Sequence, residues 1–141
     1  MKNLYYLLAV IGFLVWSCGT TQKTVTVPQG VEEQPVVIAN DSLEYEIIII
    51  DPGFTTYLNT IARPMSYYSQ SFLENHNQIY VTEWNNRVRN PSMYNPNIYE
   101  NIIDYNPGVD YGLEVNYKLF WYFQFAQRKY NMQLSGFRVY G

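Results

Sequence analysis

The oxygen donors of the segment DYNPGVDYGLE are the first residues to consider for chemistry. Asp104, Asn106, Asp110 and Glu114 recur at even spacing, as calcium ligands would. The match to a helix-loop-helix calcium loop is poor, because Pro107-Gly108 is out of register and the glutamate comes too early. Asp and Asn also favour turns by bonding their own backbone. Asp51, Glu83 and Asp104 offer carboxylates for a hydrolytic pair, but nothing in their spacing brings them together. His76 is the only histidine and Cys18 the only cysteine, so the clustered ligands of a zinc site are missing from the sequence. His76 falls near Phe72, Ile79 and Tyr80 and reads as a partly buried structural histidine. No glycine-flanked serine elbow accompanies it. Neither a catalytic residue nor a cofactor is expected, and a hydrolase is the weakest of the functional readings.

Rings are the more informative residues. The chain holds fifteen tyrosines among 141 residues. Tyr67, Tyr94, Tyr99, Tyr105 and Tyr111 fall in loops or near helix starts. There they could form an interaction surface, since a tyrosine offers a large apolar body with a polar tip. The alternative is a core packed with rings in place of leucines. The net charge is −3 and the nine basic residues are scattered, which leaves no electrostatic footprint for nucleic acid.

The amino-terminal residues tell where the chain goes. Lys2 precedes Leu4–Trp16, an uncharged run of thirteen residues. That is short of the roughly 20 apolar residues of a membrane-spanning helix and fits the apolar part of a signal peptide. Val15, Trp16 and Ser17 then precede Cys18, an arrangement that resembles a bacterial lipoprotein signal. The resemblance implies that residues 1–17 are removed and that the Cys18 thiol carries a diacylglycerol, with the new amine normally acylated as well. Such a lipidated terminus holds a protein to a membrane, because stable anchoring takes at least two chains.

Residues 18–42 hold no aromatic residue and are rich in Thr, Gln, Pro and Glu. They read as the lipidated cysteine and a flexible leash. VTV or PVVI could instead be an extended arm that adds to a sheet edge. Asp41-Ser42-Leu43 resembles the short O-glycosylation acceptor of Bacteroidota, which makes Ser42 a weak candidate for modification.

Residues 43–141 read as one aromatic-rich globular domain. LEYEIIII alternates and then turns continuously apolar, as a strand entering a core does. Asp51 and Pro52 suit the start of a short helix ending near Ala62. Ser66 can cap a longer helix over 67–89, with Tyr68, Phe72, Ile79, Tyr80, Trp84 and Val88 as its apolar stripe, although IYVTEW also has strand propensity. The pattern over 99–105 fits either strand or helix. Val115, Leu119, Tyr122, Ala126 and Tyr130 predict a helix closing near Asn131, and SGFRVYG a short strand. The expected fold class is α+β, a small single domain with about three helices packed on a short sheet.

DPGF at 51–54, YYSQSFLENHNQIYVTEWNNRVRNP at 67–91 and DYGLEVNYKLFWYFQFAQRKY at 110–130 together resemble a Bacteroidota lipoprotein family built on a domain of unknown function. The resemblance implies an envelope lipoprotein and no particular activity. Cys18 is followed by the uncharged Gly19-Thr20-Thr21-Gln22, which points to the outer membrane with the domain facing the periplasm. The expected partners are the membrane, through the lipid, and an envelope protein or glycan. The leading expectation for function is a non-catalytic interaction or structural module, with a glycan- or peptidoglycan-binding module as the alternative.

Overall fold

The structure, a computed structural model, describes residues 36–40, 45–49 and 51–140. The expected signal peptide, Cys18, most of the leash and Ser42 lie outside them. The α+β expectation is overturned: among the described residues the fold is mainly helical, three helices packed on one another with no more than a two-stranded ribbon against them. Among the described residues the only sheet is a two-stranded antiparallel ribbon, β1 (Val36–Asn40) and β2 (Tyr45–Ile49), with Ile38 opposite Ile47. β1 thus occupies the end of the stretch read as a leash.

Helix α1 spans Phe54–Thr60. The chain enters it through Gly53 at φ 98°, a left-handed conformation that side chains disfavour. Asp51 contributes its carbonyl, which accepts from Phe54 N at 3.1 Å, and not the side-chain cap its type suggested. Its carboxylate is engaged elsewhere, as described below. After a 3-10 turn at Met65–Tyr67, helix α2 runs over Gln70–Val88. The expected cap at Ser66 moves to Ser69, whose Oγ accepts from Phe72 N at 3.2 Å. The shift follows from Tyr68, which is extended and so separates the 3-10 turn from the helix.

α2 buries Leu73, Asn77, Tyr80, Val81 and Trp84, a repeat of three and four residues that makes one face. Ile79, read as part of the stripe, is 43% exposed. IYVTEW is helical throughout, so its strand propensity yields to packing. Helix α3 spans Gly112–Lys129 and starts at Gly112, again at positive φ. It is buried on almost every side from Leu119 to Gln127, with Trp121 fully enclosed. A helix apolar all round belongs at the centre of a fold, and α1, α2 and β1 all pack on α3.

Long irregular segments then have to be fastened without a sheet. A buried backbone N–H or C=O needs a partner, and here helix side chains supply it. Asn85 Nδ2 donates to Ile103 O and Asn85 Oδ1 accepts from Ile103 N, both at 2.8 Å. Trp84 Nε1 donates to Asn101 O at 3.0 Å. Gln124 and Gln127, both buried in α3, accept at 2.9 Å from Tyr140 N and Leu134 N. The expected strand in SGFRVYG is therefore irregular chain over 135–140, and 99–105 is neither strand nor helix.

Candidate functional site: a ring-floored cleft with a carboxylate rim

Four separate segments enclose a cleft of about 620 Å³. Tyr45, Ile47 and Ile49 of β2 form one wall, because alternate strand residues face the same side. The irregular run from Asn97 to Asp104 forms much of the other, held in place by the Asn85 and Trp84 bonds. Trp84 of α2 contributes to the floor with Tyr122 of α3, their centroids 5.8 Å apart. Asp51 and Tyr130 also line it.

The electrostatics are one-sided. Asp51, Glu100 and Asp104 line the cleft, and no Lys, Arg or His does. Asp51 is committed to the fold: Lys129 Nζ bonds Oδ1, and Tyr130 OH donates to Oδ2 at 2.9 Å. Lys129 Nζ also donates to Pro52 O at 2.8 Å. Glu100 and Asp104 are exposed, and neither has an ion-pair partner among the described residues. The phenols register this field. Burial, with Asp51, Tyr130 and Glu100 adding to it, pushes the Tyr122 hydroxyl well above its ordinary range. Burial followed by Tyr111, Asp104 and Tyr105 does the same to Tyr45.

The residues singled out by sequence are dispersed. Tyr67 is 71% exposed, with the Arg63 guanidinium 5.8 Å from its ring centre. Tyr99 and Tyr111 are buried in the core. Tyr94 is half-buried against Tyr99 and Arg87, and Tyr105 stacks on Tyr111 at 5.0 Å. The five rings do not form one surface, and none of them lines the cleft.

The remaining chemical candidates go to structural tasks. His76 lies between Phe72 and Phe137, with centroids 4.1 and 4.3 Å away. Its Nδ1 is 2.8 Å from Phe72 O, so Nδ1 carries the proton there. Asn106 Oδ1 accepts from Gly108 N, and Asp110 Oδ1 from Gly112 N, which is turn-making. Glu114 pairs with Lys118. Among the described residues no group of three His, Cys, Asp or Glu side chains could hold a metal ion. Of the carboxylates considered for hydrolysis, Asp51 and Asp104 both line the cleft and Glu83 pairs with Arg87 outside it.

The cleft residues Tyr122, Glu100 and Trp84 lie far apart in sequence and had no signature as a group. The one legible sign was the strand alternation that sets Tyr45, Ile47 and Ile49 on one side.

Fold and site together define a small, mainly helical protein with a central buried helix and an acidic, aromatic cleft. The chain belongs to the Family of unknown function (DUF6146), whose model matches residues 5–140. Neither the curated proteins nor the solved structures yield a match to it. Among the described residues, no helix is long and apolar enough to cross a membrane.

Proposed function

We propose that this is a lipid-anchored envelope protein of the Bacteroidota type, whose helical domain is a non-catalytic interaction module working through the cleft. The observation that carries the binding half is the cleft itself, a concave site in which an apolar strand wall and two rings face a wall rich in Asn, Asp and Glu. A non-catalytic role is supported by how the reactive groups are spent. His76 is sandwiched between rings, and Asp51 is held by Lys129 and Tyr130. The anchoring half rests on Val15-Trp16-Ser17-Cys18 behind the apolar run, and the outer-membrane, periplasm-facing placement on the uncharged residues after Cys18.

Two measurements in cells test the two halves. Cys18→Ala should abolish incorporation of a fatty-acid probe and release the protein from the membrane fraction. Unchanged membrane association would defeat the anchor. A photocrosslinking residue at Ile102, a cleft-lining position that is 54% exposed, should capture a discrete envelope component. The same residue at Thr82, on the exposed side of α2, should not. Equal capture at both would defeat the cleft as the binding site. A glycan-binding reading is favoured by one observation, the rings beside Asn97, Asn101 and Asp104 in a single groove.

A further inference from the structure

The next inference rests on the cleft reading above and concerns what the cleft receives. Three properties of the lining restrict the ligand. The walls offer aliphatic surface from Ile47, Ile98 and Ile102, suited to a methylene stem. Trp84 and Tyr122 contribute their rings to the floor, and electron-rich π-systems attract cations. The rim offers Glu100 and Asp104, two carboxylates with no counter-ion among the described residues. Apolar walls beside them concentrate their field. An anionic ligand would be repelled, and a neutral sugar could donate hydroxyl hydrogen bonds to the two carboxylates but would leave their charge uncompensated. The residues that join apolar stem, cation and affinity for rings are lysine and arginine.

The main chain adds a second restriction. Among the described residues β2 pairs with β1 alone, so its other edge has no strand beside it. An extended segment can add hydrogen bonds along such an edge, with alternate side chains directed into pockets. We propose that the cleft binds an extended peptide segment of a partner protein bearing lysine or arginine, the cation being met by Glu100 and Asp104.

Fluorescence anisotropy on the full chain tests this with two labelled peptides, Val-Arg-Val-Arg-Val and the same sequence with citrulline for arginine. The arginine peptide should bind at least about tenfold more tightly and weaken as salt rises. The double variant E100Q/D104N should lose about tenfold in affinity while keeping its thermal midpoint. E114Q, which removes a carboxylate from the exposed side of α3, should change little. Equal binding of the citrulline peptide would overturn the proposal, as would an equal loss in E114Q. Binding of an N-acetylglucosamine oligomer in place of either peptide, sensitive to E100Q/D104N, would overturn the cationic-peptide proposal and leave the cleft as an interaction site. No binding of any probe, together with no crosslink from Ile102 in cells, would defeat both readings.

Discussion

Asn85 shows how a single side chain can take the place of a strand. Its amide presents one donor and one acceptor in a plane, the pair that a neighbouring backbone would offer. It spends both on Ile103, which positions the cleft wall next to it. Replacing it with alanine leaves two backbone groups unpartnered in a partly buried setting. Asn85→Ala should therefore cost about 1–3 kcal/mol in denaturant unfolding. It should also raise the hydrogen-exchange rate of the Ile103 amide specifically. Normal exchange at Ile103 would show that another group holds the segment. At the polar centre of the core, Asn77 Nδ2 reaches Asn116 O at 2.9 Å, and Tyr105 OH donates to Asn116 Oδ1 at 2.8 Å. Buried amides are costly unless bonded, so these contacts specify how α2 and α3 meet.

At the scale of elements, what could be read in sequence depended on how local the cause was. Helix α3 was legible because Val115, Leu119 and Ala126 repeat at helical spacing and all three are buried. α2 was legible as a helix and most of its stripe faces the core, since Tyr80 and Trp84 are buried and Phe72 and Val88 pack against it, whereas Ile79 does not. Leu73 and Asn77, which that stripe leaves out, are both fully buried. Leu73→Ala should consequently cost about 2–5 kcal/mol. Ile79→Ala should cost under about 1 kcal/mol, because Ile79 is well exposed and alanine favours helix. Chemical denaturation of the two variants side by side checks the assignment of faces, and similar losses would contradict it. The α+β expectation failed for a related reason. The strand read in 43–50 is present as β2, but among the described residues no sheet extends beyond the ribbon, and the extended chain expected as a strand in SGFRVYG is held by amide side chains instead. Nothing in sequence marks an Asn or Gln for that task. The cleft was illegible for the same reason, since loop, strand and two helices contribute to it from distant positions.

For the molecule as a whole, the abundance of tyrosine sets a limit at high pH. Burial holds the hydroxyls of Tyr45, Tyr80, Tyr105 and Tyr122 above their ordinary value of about 10. A raised phenol stays protonated in the folded chain after it has ionised in the unfolded one. Its contribution is thus complete below pH 10 and is lost as pH rises towards the folded-state value. Each such group lowers stability by up to about 1.4 kcal/mol per pH unit in that range. The denaturant midpoint should be flat from pH 7 to 9 and fall steeply beyond about pH 10. The part of the tyrosinate absorbance that belongs to these four rings should rise together with loss of helix. A gradual rise while helicity persists would mean that these rings titrate in the folded state.

Several closing contacts span most of the domain. Asp51 meets Lys129 and Tyr130, and Tyr57 OH donates to Tyr140 O, 83 residues away. Most helical proteins assemble from contacts between near neighbours and do so quickly, whereas distant closures slow the search. A ribosome delivers residues 51 and 57 long before 129, 130 and 140. During that interval α1 has nothing to lock against. The closing contacts of the domain therefore cannot form until its last helix and tail have been delivered.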